Sequence, residues 1–216
     1  MHLHGFRGVG DLSRTEGENI ADYARAVGEM ADLLRSASCN PRGKSMLDIG
    51  CGNGFWAGIF MRWGIARYTG VDITDALFRN LRNRFPEFQF ICGDLGTIRL
   101  DAGFQLVTMI DVTQHIVDDA HLQAMLARAR ALLAKDGALV ITFWNQERPQ
   151  EDFYEKFRPF GFYTRALDGL LHTEPMPFRD KFIAAFYDGD RVRDSVPVEP
   201  PSRTEVLAVA EQIART

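Results

Sequence analysis

The chain has 216 residues, 46% of them hydrophobic and 25% charged, with a formal net charge of −4 at pH 7. A chain of this size buries most of its unfolded surface in one core, and ordinary apolar and charged fractions exclude a wholly disordered or collagen-like polymer. The mildly acidic balance argues against a protein built to grip nucleic-acid backbones, and no apolar run approaches the roughly 20 residues of a helical membrane span.

Met1-His2-Leu3-His4-Gly5 has neither the basic region nor the apolar stretch of a secretory signal. His2 and His4 have the spacing of a metal pair, but a chain terminus without a third ligand makes a poor site, and no metal is expected. Cys39, Cys51 and Cys92 contain no C-x-x-C pair, which suggests neither a disulfide framework nor structural zinc. The expected compartment is the cytoplasm. From Glu16 to Arg35 the residues Ile20, Tyr23, Val27, Met30 and Leu34 recur at three- and four-residue steps, one face of an amphipathic helix. Cys39-Asn40-Pro41-Arg42-Gly43 then breaks it.

Between Lys44 and Trp144 short apolar runs alternate with helical segments. The runs are Ser45–Ile49, Tyr68–Ile73, Phe88–Ile91, Phe104–Ile110 and Ala138–Trp144; the clearest helices are Phe55–Trp63, Asp75–Phe85 and Asp118–Lys135. In the last helix Leu122, Met125, Leu126, Ala129, Leu132 and Leu133 form the apolar stripe, and Gly137 stands where a left-handed cap is expected. Leu106-Val107-Thr108-Met109-Ile110 does not alternate, as suits a strand covered on both faces. The alternation predicts a doubly wound, parallel α/β sheet whose ligand crevice lies at the carboxyl ends of the strands.

After Trp144 the pattern changes. Gln146–Gln150 is polar and contains Pro149; Glu151–Arg165 carries Phe153, Tyr154, Phe157, Phe160, Phe162 and Tyr163. These rings suit the wall of a ligand pocket and equally the burial of this segment against the sheet. Gly169–His172 and Phe182–Tyr187 are expected to pair antiparallel, separated by Pro175-Met176-Pro177, because no crossover helix fits between them. His172 is foremost a structural histidine. Pro197, Pro200 and Pro201 mark a linker before a short helix with Val206, Val209, Ala210 and Ile213 on one side. The expected division is a helical flank or lid over 1–43, an α/β domain over 44–190, and a Pro-rich linker with a short helix over 191–216.

The most informative motif is Asp48-Ile49-Gly50-Cys51-Gly52-Asn53-Gly54, which ends the first strand and opens the first helix. Its glycines permit a tight turn and close approach of backbone to a ligand, and the helix N-terminus offers free N–H groups. The spacing is G-x-G-x-G, not the G-x-G-x-x-G of dinucleotide-binding proteins, which argues against a nicotinamide-dependent dehydrogenase. Asp72 ends the second strand, where a carboxylate is placed to accept ribose hydroxyls, and Asp94 ends the third within Cys92-Gly93-Asp94-Leu95. Cys51, small and between glycines, is foremost a packing residue.

With these motifs in order from Lys44 to Trp144, the chain resembles the class I (Rossmann-like) S-adenosylmethionine-dependent methyltransferases. The resemblance implies a doubly wound, mostly parallel seven-stranded sheet with a C-terminal antiparallel hairpin, S-adenosyl-L-methionine as cofactor and S-adenosyl-L-homocysteine as product. It places the methionine part of the cofactor on the turn of Asp48, Gly50, Cys51, Gly52 and Gly54. The ribose falls to Asp72 with Ile73 beside it, and the adenine amino group to Asp94 with Leu95 against the ring. Asp111 and Gln114, in Asp111-Val112-Thr113-Gln114-His115-Ile116, match the position lining the cofactor and the transferred methyl; a loop-stabilising role for Asp111 stands beside that reading. His115 is the candidate general base, since imidazole titrates near neutrality; packing on the cofactor and capping the next helix are the other readings.

Base-amino methyltransferases of this family resemble one another in an Asn/Asp-Pro-Pro-aromatic loop, where this chain has Asp111-Val112-Thr113-Gln114. The basic residues Arg62, Arg67, Arg79, Arg82 and Arg84 are more economically solvated helix faces. A small-molecule acceptor such as a natural product or sugar is therefore expected, with no nucleic-acid or membrane partner and a monomeric or homodimeric state. Because no base is unambiguous, the alternative is a non-catalytic methyltransferase-like protein that binds the cofactor or a partner.

Overall fold

A computed structural model describes residues 16–146, 154–189 and 198–214. His2, His4, Pro149, Phe153 and Pro197 lie outside the described residues. The first helix, α1 (Glu16–Ser36), buries Val27, Met30 and Leu34 as the three- and four-residue steps require, together with Ala26, Ala31 and Leu33. Then follow β1 (Ser45–Ile49), α2 (Phe55–Arg62), β2 (Arg67–Asp72), α3 (Phe78–Arg84), β3 (Gln89–Cys92), β4 (Phe104–Met109), α4 (Asp119–Leu132) and β5 (Leu133–Phe143). The C-terminal part adds α5 (Phe160–Ala166), β6 (Leu171–His172), β7 (Met176–Phe178), β8 (Lys181–Tyr187) and α6 (Arg203–Ala214).

The sheet order is β3-β2-β1-β4-β5-β8-β6, with β7 also paired to β8. The five strands from β1 to β5 are mutually parallel, and β8 runs antiparallel to β5. The sheet has the seven positions expected, although it counts eight strands. The extra strand is the segment 175–177, expected to be a separator; Met176–Phe178 instead pairs with Lys181–Ile183 while Leu171–His172 pairs with Phe186–Tyr187. Thr173 N donates to Ala185 O between them, so β6 and β7 are two pieces of one outer row. Pro177 is tolerated there because this row is the sheet edge, where a missing N–H faces no neighbour.

Helices α1, α2, α3 and α6 cover one face through a core that includes Met46, Tyr68, Leu106, Val140 and Ala185. Helices α4 and α5 cover the other through Leu47, Val107, Leu139, Phe143 and Phe186. The apolar side of α6 is docked on α1 and α2, with Val206, Val209, Ala210 and Ile213 all buried. Two hydrogen bonds hold the chain just before it: Arg35 Nη1 donates to Val198 O at 2.7 Å and Trp63 Nε1 to Glu199 O at 2.8 Å.

Gly137 is not the cap of α4. That helix stops at Leu132, and Leu133 is already extended. A Cβ on Gly137 would meet the Phe104 carbonyl oxygen at 2.9 Å and that of Ala134 at 3.0 Å. Glycine is needed there for close backbone approach where the β4–β5 register shifts between Phe104 and Leu106. The aromatic segment also has its answer: Tyr163 is buried, and Phe143 stacks on Phe160 at 5.2 Å, so these rings fasten α5 to the sheet. The His172 ring packs edge-on against Phe160 at 5.0 Å.

Candidate functional site

A cavity of about 500 Å³ opens at the carboxyl ends of the parallel strands, where β2 and β4 leave β1 on opposite sides. That reversal of strand order is where doubly wound sheets leave a crevice, and the volume lies within the roughly 300–1,000 Å³ of small-molecule sites. Its lining includes Gly50, Asp72, Ile73, Asp94, Leu95, Asp111 and His115 from the sequence-based set. Asp48, Cys51, Gly52, Gly54 and Gln114 are not on that lining.

The glycine turn owes its shape to left-handed backbone at Gly50, Gly52 and Gly54, with φ of 76°, 50° and 77°. At Gly50 a Cβ would lie 2.3 Å from Val112 Cγ2. Gly50→Ala therefore combines backbone strain with overpacking, an expected loss of roughly 2–4 kcal/mol in urea unfolding. Gly52 N donates to Asp72 Oδ2 at 3.0 Å and Thr74 N to Asp72 Oδ1 at 3.1 Å. The turn and the end of β2 thereby hold one carboxylate at the cavity, each oxygen keeping a second lone pair for a ligand.

Asp48 stands behind the turn and is only 2% exposed. Its oxygens accept from Tyr68 Oη at 2.5 Å and Thr108 Oγ1 at 2.6 Å. Burial raises its pKa to about 6 against the pull of those two hydroxyls, and the charge of Asp72 adds to the rise. Cys51 fills space against Gly70, where a Cβ would be 2.8 Å from its Sγ; burial and the Asp48 charge push its thiol well up, so it is a packing group.

At the far end Asp94 Oδ1 accepts from Gly96 N at 2.6 Å and Oδ2 faces His121 Nε2 at 3.0 Å. Sequence reasoning missed His121. Its backbone N–H donates to Asp118, the N-cap of α4, and this capping turn aims the ring across the cavity. A histidine in the first turn of a helix entering at the carboxyl edge was the available signal. Ile73 is 81% exposed and Leu95 is buried, so on the cavity lining the first stands at the rim and the second in the wall.

At the near end, Asp111 adopts φ 58° and donates its N–H to Thr142 Oγ1 at 2.7 Å. Lys181 Nζ and Arg179 Nη1 reach its two oxygens at 2.5 and 2.8 Å. Burial works to raise this carboxyl, but the two cations overcome it and hold the pKa below the usual carboxylate value. Neither cation was singled out from sequence, because β8 must fold back before they reach β4. His115 is half-exposed, with Nδ1 3.7 Å from Glu155 Oε1. Gln114 is buried, and its Oε1 has no hydrogen-bond partner. Arg158, buried beneath the loop of 113–117, was also missed. Among the described residues no group of three His, Cys, Asp or Glu is arranged for a metal ion, and no helix is long and apolar enough to cross a membrane.

Residues 46–137 match a family model described as a methyltransferase domain. The dTDP-3-amino-3,6-dideoxy-alpha-D-glucopyranose N,N-dimethyltransferase of Streptomyces fradiae is 29% identical over 124 residues, 57% of this chain and 48% of that protein. The ubiquinone biosynthesis O-methyltransferase of Coxiella burnetii is 29% identical over 110 residues, 49% of this chain and 45% of that protein. The chain thus spans about half the length of the curated relatives it matches. Among solved structures, Streptomyces venezuelae DesVI superposes with a TM-score of 0.62 at 19% identity, covering 78% of this chain and 92% of that one. The N-methyltransferase NodS of Bradyrhizobium japonicum, in complex with S-adenosyl-L-homocysteine, gives 0.64 at 15% identity, covering 78% and 88%. With the glycine turn, the strand-end acids and the strand order all in place, residues 46–137 are similar to a methyltransferase domain, and the chain has the Rossmann-like fold of the class I S-adenosylmethionine-dependent methyltransferases.

Proposed function

We propose that this chain is an S-adenosylmethionine-dependent methyltransferase acting on a small-molecule acceptor. The observation that carries it is the single crevice shared by Gly50, Asp72, Asp94 and Asp111, at the switch point of the sheet. The donor set suits the cofactor along its length. Asp72 offers two oxygens, already oriented by Gly52 and Thr74, to the ribose diol. Asp94 offers an acceptor to the adenine amino group, with Leu95 and Met125 against the ring and Ile73 at the rim. The backbone of Gly50 and the Asp111 end receive the amino-acid part. The bound cofactor supplies an electrophilic methyl on a positively charged sulfur.

The residues of the chain then align and shield. Val112, Ile116 and Met125 line the cavity with apolar groups and exclude water from the methyl path. His115 stands at the same lining, where it accepts a proton if the acceptor is a hydroxyl or a protonated amine. The backbone carbonyl of Gln114 ties the adjoining loop down by accepting from Lys156 N at 2.8 Å. In this reading 44–190 is the catalytic unit, 1–43 flanks it through α1, and 191–216 packs against it through α6. The relatives named above, of an amino-sugar nucleotide and of ubiquinone biosynthesis, support an acceptor of small size.

Calorimetry with S-adenosylmethionine and S-adenosylhomocysteine tests the reading. Micromolar binding is expected, and no heat with either at millimolar concentration would refute it. Asp72→Ala removes a charge-assisted contact, so the same titration should show affinity lower by about 1.5–3 kcal/mol, roughly 10- to 150-fold.

A further inference from the structure

Among the described residues three non-glycine positions have positive φ: Ser38, Asp111 and Arg179, at 49°, 58° and 55°. Side chains are strained in that region, and such residues gather at ligand-binding sites. Two of these three come from separate elements and meet each other, Arg179 Nη1 donating to Asp111 Oδ2 at 2.8 Å.

Arg179 and Asp180 form the tight turn from β7 to β8, since Phe178 pairs directly with Lys181. Two-residue hairpin turns favour glycine or asparagine where φ is positive, so turn geometry alone does not favour arginine. Nor does Asp111 depend on it for a counter-charge. Lys181 Nζ, with its side chain 9% exposed, reaches the other carboxylate oxygen at 2.5 Å and stands 5.6 Å from the Trp144 ring.

The Arg179 side chain is held on one arm and open on the rest. Its guanidinium lies 5.9 Å from the Tyr23 ring centroid, and its backbone N–H donates to Glu29 Oε2 at 2.7 Å. Among the described residues no group accepts from its Nε or Nη2, and the side chain is 30% exposed. A planar fork anchored at one corner, beside a carboxylate on the cavity lining, matches a two-oxygen anion.

We propose that Arg179, backed by Lys181, binds a carboxylate or phosphoryl group of a ligand whose remainder occupies the cavity beyond Asp111. The proposal rests on the cofactor reading given above. Two molecules present such a group there: the cofactor, through its amino-acid carboxylate, and an anionic acceptor.

The test titrates wild type, Arg179→Gln and Arg179→Gly with S-adenosylhomocysteine and with 5′-methylthioadenosine, which lacks the amino-acid end. Pyrophosphate is then titrated into each protein saturated with S-adenosylhomocysteine. The glycine variant suits the +55° backbone, and its melting temperature shows that the fold persists. A loss of about tenfold or more for S-adenosylhomocysteine, with methylthioadenosine unchanged in both variants, supports the site and assigns it to the cofactor. Unchanged S-adenosylhomocysteine binding, with pyrophosphate bound by wild type alone, supports the site and assigns it to the acceptor. Variants that match wild type with all three probes overturn it. Wild type that binds neither nucleoside refutes the cofactor reading itself, a result distinct from any change among the Arg179 variants.

Discussion

Arg158→Ala is expected to destabilise the protein by about 3–5 kcal/mol, a large loss for one side chain. The guanidinium is 2% exposed as a residue, yet every donor nitrogen has an acceptor. Nε reaches Asp119 Oδ1 at 2.8 Å, Nη1 the carbonyls of Thr113 and Lys156 at 3.2 and 3.3 Å, and Nη2 those of Ile116 and Val117 at 2.7 and 3.2 Å. Its face lies 5.2 Å from the Phe162 ring. Truncation leaves several carbonyls without their charged donor, whereas Asp119 retains Lys156 at 2.8 Å. The cost therefore comes from the loop rather than the carboxylate.

Because His115, Ile116 and Val117 line the cavity, ligand affinity should fall with stability. Arg158→Lys keeps the charge but not the fork, so an intermediate loss is expected. Urea unfolding at pH 7 measures the first effect, and amide exchange across 113–117 locates it. A variant within about 1 kcal/mol of wild type would show that water replaces the guanidinium at little cost.

The second large effect depends on pH. The Asp48 carboxyl titrates near 6 in the folded chain, against an ordinary value of 3.8, chiefly because it is buried. The fold therefore holds that proton more tightly than the unfolded chain does. Below about pH 3 both states are protonated and no penalty exists. As pH rises toward 6 the unfolded state releases its proton first, and stability declines by about 3 kcal/mol in total. Asp48→Asn is neutral throughout: its carbonyl still accepts from Thr108, and its amide can donate to Tyr68 Oη. The stability of the variant relative to wild type should rise by about 3 kcal/mol between pH 3 and 8. Urea titrations at both pH values decide it; a constant difference would mean that Asp48 is not the titrating group.

The parallel half of the sheet was legible because each of its strands carries its own signal. Ser45–Ile49 and Leu106–Met109 are apolar runs covered on both faces, and the expected and observed spans of β1 coincide. Helix α4 was legible from its apolar stripe, but its end was not. The cue at Gly137 belonged to a backbone contact with Phe104, from a strand distant in sequence. The Pro175-Met176-Pro177 segment was misjudged for a similar reason. Proline forbids an interior strand but not an edge, and edge position is a property of the assembled sheet.

The site divides in the same way. Gly50, Asp72, Asp94 and Asp111 could be placed from the chain alone because each ends a strand, and parallel strands bring their carboxyl ends to one edge. Arg158, Arg179 and Lys181 could not, since their charged partners lie 39 to 70 residues away in sequence. Local order thus determined the fold class, the crevice and the acids along it, through periodicity and the turn chemistry of glycine. Only the folded chain decided which charges meet there, because ion pairs and shared hydrogen bonds depend on distances that close when β8 and α4 pack against β4 and β5.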